Sequence, residues 1–263
     1  IFTKKRLDNI RSKYVKLPDN YYDDDEPSVI TPAKFSQENF TELGVSKRVE
    51  LWEMCSGSST LSATARDYSI PHLPPIDYRY GWSLERDDDQ VKILAGLLQY
   101  PINTVFISPN CAPWGNHTRG LPAEELKSKR QAEHRTLEFV AVVSLVQTVL
   151  GRKYIIENSA YSDIFDKSPL QVLKKARNWT ALLDQCELGG TLEGQRIRKR
   201  TAFQSSHPLS YLHVKCRGDH EHLPLRGYGR AASAAVYTQA ECKLILQESG
   251  ADDQDFQMGG DSS

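Results

Sequence analysis

Little in this chain points toward a membrane or an export route. It has no run of 18 apolar residues and no apolar N-terminal signal segment, which argues against a helical span and gives no sign of secretion. Cysteine is scarce. The five cysteines (55, 111, 186, 216 and 242) form an odd, widely spaced set, which excludes a dense disulfide framework and fits a reducing, intracellular setting. An excess of one charge is also missing: 33 Lys and Arg stand against 34 Asp and Glu, for a formal net charge of −1. No global positive field therefore advertises nucleic acid, and any basic surface must be local. No internal repeat is present. The chain opens at Ile1 rather than Met, which reads as a piece of something longer.

What is present can build one substantial core. With 263 residues, 39% of them hydrophobic and 25% charged, one main domain with at most a small appendage is expected. Residues 1–48 pass from basic (Lys4, Lys5, Arg6) to acidic (Asp23, Asp24, Asp25, Glu26) with no sustained period, which reads as a flanking arm. From Val49 the pattern changes. Strands are expected at 49–54, 78–85, 104–108 and 153–158, and helices at 60–68, 87–100, 122–150 and 168–178. The spacing predicts βαβ units, hence an α/β, Rossmann-like, doubly wound and mainly parallel sheet with helices on both faces over 49–180.

After about residue 180 the alternation stops. Residues 205–230 are rich in His, Pro, Gly and Arg, and 181–230 predict a small target-recognition or zinc-stapled subdomain containing a strand at 195–203. A helix over 231–249 would complete the core. An acidic tail at 250–263 is expected to be disordered.

Ligands of open parallel sheets bind outside the carboxyl ends of the strands. The expected strand ends carry "CSGSS" (55–59), Glu85, "SPNC" (108–111) and "EN" (157–158). A small-residue turn lets a ligand lie against backbone, and Glu85 could accept both hydroxyls of a ribose. The turn has a single glycine where a dinucleotide fingerprint has three, which disfavours NAD and suits a nucleoside without a pyrophosphate, such as S-adenosylmethionine. The residues expected around it are Cys55, Ser56, Gly57, Ser58, Thr60, Leu61, Glu85, Ser108 and Pro109. Cys111, flanked by Pro109 and Pro113, is presented by a stiffened loop instead of being kept inside the strand. Taken singly, an ordinary βα turn with a solvated Glu85, an inert Cys111 and a helix-capping Glu157-Asn158 remain open.

The combination "ELWEMCSGSSTLS", "SPNCAPWG" and "IIEN" resembles, in order, the first, fourth and sixth motifs of cytosine-5 DNA methyltransferases. "HLPPIDYRYGWSLE" and "KCRGDHEH" are similar to methyltransferase-like domains carried in some eukaryotic retroelement polyproteins, and the resemblance spans roughly residues 49–245. It implies a nucleophile at Cys111, a group holding or protonating the edge of the target ring at Glu157, and loop support from Asn158. It also implies a cation over the nucleophile loop, Arg198 or Arg200. A thiolate adds to the carbon next to the one to be methylated, and the enamine so formed attacks the sulfonium methyl. The base must leave its stack to reach such a crevice. DNA is the expected partner in preference to RNA, with another acceptor or an inactive nucleic-acid-binding module as alternatives. Asn110 stands where the family commonly carries a second proline, a change expected to loosen the loop.

A second constellation lies outside these motifs. Cys186, Cys216, His220 and His222 offer two sulfurs and two imidazoles, a set suited to a tetrahedral structural zinc, with His207 and His213 as substitutes. A surface role for each residue is the alternative. The Gly218-Asp219 turn would let His220 and His222 meet one ion.

Overall fold

The structure, a computed structural model, describes Pro32 and residues 49–176, 178–225, 234–252 and 254–256. The expected arm at 1–48, Pro32 apart, and residues 257–263 of the expected tail lie outside the described residues.

Five strands and three helices build the frame in chain order. They are β1 (Val49–Met54), α1 (Thr60–Asp67), β2 (His72–Ile76), α2 (Asp87–Gln99), β3 (Ile102–Ile107), α3 (Ala123–Val149), β4 (Lys153–Ser159) and β5 (Trp179–Asp184). The short helix α4 (Ile164–Lys167) and a 3-10 segment, Pro169–Lys175, separate β4 from β5. A two-stranded hairpin, β6 (Thr191–Leu192) and β7 (Gln195–Arg196), precedes β8 (Arg200–Ser205), and α5 (Gln239–Ser249) follows. The main sheet has the order β2-β1-β3-β4-β8-β5. Strands β2, β1, β3 and β4 run parallel, and β8 is antiparallel to both β4 and β5. This is the doubly wound α/β architecture expected.

Alternation along the strands assigns the faces. Trp52, Met54, Val105, Ile107, Tyr154 and Ile156 enter one core with Ile93 and Leu97 of α2, Leu137 and Val140 of α3, and Leu170 and Leu173. Leu51, Phe106, Ile155 and Phe203 enter the other core with Leu61 and Ala65 of α1 and Cys242, Ile245 and Leu246 of α5. Both faces are thus covered, as parallel strands require. Among the described residues no helix is long and apolar enough to cross a membrane.

The second strand sits upstream of its expected place. It is His72–Ile76, whereas Tyr78–Tyr80 is a 3-10 turn. β2 is an edge strand, which spares one of Pro74 and Pro75 a ladder bond on its outer side, and the register shift between Trp52 and Met54 of β1 falls opposite the other. The helix expected at 168–178 is the 3-10 segment Pro169–Lys175, whose first turn is capped by Ser168 Oγ accepting from Leu170 N. The strand expected at 195–203 divides into β7 and β8. Glu193 and Gly194, both with positive φ, make the tight β6-β7 turn.

Within the expected subdomain at 181–230, β5 and β8 belong to the main sheet, Val214 bridges to Leu183 of β5, and Leu209 and Leu212 are buried in the second core; its residues 226–230 lie outside the described ones. The tail also departs from expectation at its start. Ala251 is buried, and Phe256 packs edge-on against Tyr68 with ring centroids 5.1 Å apart.

Candidate active site

The chain leaves β1 for α1 on one face and leaves β3 for α3 on the other. The loops after these neighbouring strands therefore diverge and open a crevice at their carboxyl ends, the switch point of the sheet.

The loop after β1 is strained and tightly tied. Cys55, Gly57 and Ser59 all have positive φ, a region that costs a non-glycine residue on the order of 1 kcal/mol. Ser56 Oγ and Ser59 Oγ lie 2.9 Å apart, and Tyr80 Oη meets Ser59 Oγ at 2.7 Å. Ser58 and Thr60 pair their hydroxyls at 2.8 Å. A Cβ placed on Gly57 would meet nothing within 4 Å, so the space facing this turn is open. Leu61, expected at a cofactor, is instead fully buried in the core.

The acid at the end of β2 is Asp77, not Glu85. Asp77 Oδ2 accepts from Gly57 N at 2.9 Å, and Oδ1 accepts from Arg79 N at 2.9 Å. Each oxygen keeps a lone pair for a ligand hydroxyl. Burial raises the Asp77 carboxyl above its ordinary value, against the pull of these two amides and of the Arg79 guanidinium. Arg79 closes the arrangement by donating from Nη1 to Gly57 O at 3.0 Å. Glu85 accepts from Thr136 Oγ1 of α3 at 3.4 Å. The open turn beside a buried carboxylate with spare lone pairs fits an adenosine, with Asp77 placed to take the ribose.

The Cys111 loop is clamped from several directions. Asn158 Nδ2 donates to Pro109 O at 3.0 Å. Trp114 N and Gly115 N both donate to Cys111 O, at 3.0 and 3.1 Å. Arg130 of α3 donates from Nε to Pro113 O at 3.1 Å, lies 4.7 Å from the Trp114 ring centroid and pairs with Asp163 at 3.1 Å. Asn110 does not loosen this loop. Its Oδ1 accepts from Ala112 N at 3.0 Å and its Nδ2 donates to Glu133 Oε1 at 2.8 Å, so two hydrogen bonds supply the stiffness a proline would have given. Ser108 Oγ bonds the Tyr237 hydroxyl, which links the same loop to the segment before α5.

Glu157 and Asn158 are adjacent on β4 and both buried. Residue Cys111 is exposed at the rim, yet partial enclosure of its sulfur raises its pKa. The Glu157 carboxylate adds to that rise and the Lys199 ammonium opposes it. Lys199 Nζ lies 4.0 Å from Glu157 Oε1 and 5.5 Å from the Tyr237 ring centroid. Cys111, Glu157 and Lys199 thus share one electrostatic neighbourhood. Two further groups border it: the Tyr237 phenol, raised by burial and by Glu157, and the buried Glu241 carboxyl, raised to about 7 chiefly by burial.

The expected cations are engaged elsewhere. Arg200 makes a two-pronged pair with Asp184, Nε to Oδ1 at 2.8 Å and Nη2 to Oδ2 at 2.7 Å. Arg198 is exposed and acts on Asp184 and His222. Ile197 carried the missed signal. It is the one apolar residue of "QRIRKR", it is buried, and a period of two puts Lys199, not Arg198 or Arg200, on its side.

The second predicted cluster also assembles. One ligand atom each of Cys186, Cys216, His220 and His222 lies within 4.8 Å of the others. His207 is elsewhere, its Nδ1 2.9 Å from Ser206 Oγ, and His213 is not in the cluster.

No known protein family matches the chain, and no curated protein matches it in sequence. Among solved structures it is similar to the S. pombe Dnmt2 methyltransferase, at 11% sequence identity and a TM-score of 0.37, over 66% of this chain and 58% of that one. The chain thus spans less than two thirds of that protein's length, and a likeness of this size carries no role from one to the other.

Proposed function

We propose that this chain is an S-adenosylmethionine-dependent methyltransferase that methylates carbon 5 of cytosine in DNA through a covalent adduct to Cys111. The observation that carries the reading is the meeting of Cys111, Glu157 and Lys199 at the carboxyl ends of β3 and β4, beside the strained 55–59 turn and Asp77.

In this reading Asp77 and the turn hold the nucleoside half of the methyl donor, which supplies an electrophilic methyl group when bound. Glu157 is buried on β4 and, in its carboxylic acid form, would donate to the ring nitrogen of a flipped base and so draw electrons out of the ring. The Cys111 thiol gives its proton to water, and the sulfur adds to carbon 6 as the carbon 5–carbon 6 double bond of the ring opens. Carbon 5, now part of an enamine, takes the methyl group from the sulfonium. Water takes the carbon 5 proton as the carbon 6–sulfur bond breaks, its electron pair leaving with the sulfur, which restores the aromatic ring and the Cys111 thiolate. Lys199 supplies the positive charge that favours the thiolate, a task its neighbours Arg198 and Arg200 are not placed to perform. The motif order "CSGSS", "SPNC", "EN" supports the same assignment, and its resemblance to retroelement-borne methyltransferase-like domains favours DNA as acceptor.

The test is methyl transfer from labelled S-adenosylmethionine to duplex and single-stranded oligonucleotides, followed by nucleoside analysis. The expected product is 5-methylcytosine, absent in Cys111→Ala. Label on an amine or hydroxyl, or transfer unaffected by that change, would contradict the proposal.

A further inference from the structure

We infer that Cys186, Cys216, His220 and His222 hold one Zn2+ in a closed, structural site that fixes the segment carrying Lys199. The separations among Cys216, His220 and His222 match what a single ion would impose. Tetrahedral coordination with ordinary zinc bond lengths places a sulfur and a nitrogen about 3.5 Å apart and two nitrogens about 3.3 Å apart. Cys216 Sγ lies 3.7 Å from His220 Nε2 and 3.5 Å from His222 Nε2, and the two Nε2 atoms are 3.1 Å apart. Cys186 completes the set from the buried 3-10 turn Gln185–Leu188.

The surroundings are those of a ligand site. Asp219 Oδ1 is 2.7 Å from His220 Nδ1, the kind of outer carboxylate that orients a ligating imidazole and leaves Nε2 for the metal. Arg196 Nη1 also lies 3.1 Å from this nitrogen, where two donors cannot bond each other, and its charge acts instead on the Asp219 carboxylate. Two thiols and two imidazoles form a soft donor set that selects zinc over magnesium or calcium. A four-ligand set leaves no position for substrate, so the ion's role is structural.

The ion would tie together loops that enclose the Lys199 segment. Gln185 N donates to Lys199 O at 3.1 Å, Leu223 N to Arg196 O at 2.8 Å, and Cys216 N to Asp184 Oδ2 at 3.0 Å. Asp184 in turn grips Arg200. Residues 196–200 are therefore held between the Cys186 turn and the Cys216–His222 loop. Gly190 shows how close this packing is, since a Cβ there would approach Gln185 O to 2.8 Å. The importance of Lys199 for catalysis rests on the proposed function; the metal site does not.

The decisive experiment is metal analysis of the full chain, purified from zinc-supplied medium and dialysed against a weak chelator. About one zinc per chain is expected, with replacement by Co2+ giving thiolate charge-transfer bands and the intense visible bands of tetrahedral cobalt. Cys216→Ser should lose the metal. His222→Cys, which keeps four ligands, should retain one metal and gain thiolate charge transfer. Zinc far below one equivalent in the wild type, an octahedral cobalt spectrum, or a His222→Cys spectrum identical to wild type would each overturn the inference. None of these readouts needs methyl transfer, so failure of the metal site and failure of the proposed activity are told apart.

Discussion

Lys199 places its ammonium 4.0 Å from the Glu157 carboxylate, and both groups act on the Cys111 thiol. The two charges pull the thiol in opposite directions. Lys199→Met should move its titration upward and slow alkylation by iodoacetamide at pH 8. Glu157→Gln should move it downward and speed alkylation. A pH profile of alkylation rate, read by mass spectrometry at Cys111, checks both signs. Equal effects of Arg198→Met and Lys199→Met would contradict the placement.

Asp77 ties the turn after β1 to the end of β2 with both carboxylate oxygens. Hydrogen bonds to a charged group are worth about 1.5–3 kcal/mol, so Asp77→Asn should weaken binding of S-adenosylhomocysteine roughly tenfold or more in a calorimetric titration. Glu85→Ala should leave that affinity nearly unchanged, because Glu85 faces Thr136 of α3.

The sequence carried most of the parallel core and the order of its motifs, since β1, β3, β4 and the helices α1, α2 and α3 differ plainly in period. It hid what depends on neighbours distant in the chain. The prolines of β2 masked a strand that its edge position and the register shift of β1 permit, and with it Asp77. β5, "WTALLD", is short and leaves Leu182 half exposed, so its alternation was hard to see without β8 beside it. Lys199 was concealed between two arginines, and its inward direction depended on one buried isoleucine. The Cys/His cluster was readable from composition, whereas its closure depends on the Gln185–Leu188 turn meeting the 216–222 loop.

Asn158 is buried, and its Nδ2 satisfies Pro109 O. Asn158→Ala would leave that carbonyl without its partner beside a small cavity, at a cost of about 1–3 kcal/mol. Urea unfolding should show this loss, and alkylation of Cys111 should become faster as the loop loosens. Unchanged stability would mean that the bond is not made in solution.

Glu241 is buried with its pKa raised from 4.5 to about 7. Below pH 4.5 both folded and unfolded chains hold this proton, so the shift costs nothing. Between 4.5 and 7 the unfolded chain ionises first, and stability falls as pH rises. Above 7 the deficit is constant, on the order of 3 kcal/mol. Glu241→Gln removes the titration and can still accept from Gln185 Nε2, which lies 2.9 Å from Glu241 Oε2. The variant should therefore gain stability relative to wild type between pH 5 and pH 8, measured by denaturant titration at each pH. A gap independent of pH would contradict the assignment.

The most direct test of the account is covalent capture of the target base. Incubation with S-adenosylmethionine and DNA carrying 5-fluorocytosine, whose fluorine blocks the last step, should give a denaturant-resistant complex of protein and oligonucleotide. The crosslink should map to Cys111 and disappear in Cys111→Ala. Absence of any crosslink while the chain binds S-adenosylmethionine, or a crosslink that survives Cys111→Ala, would contradict the central claim.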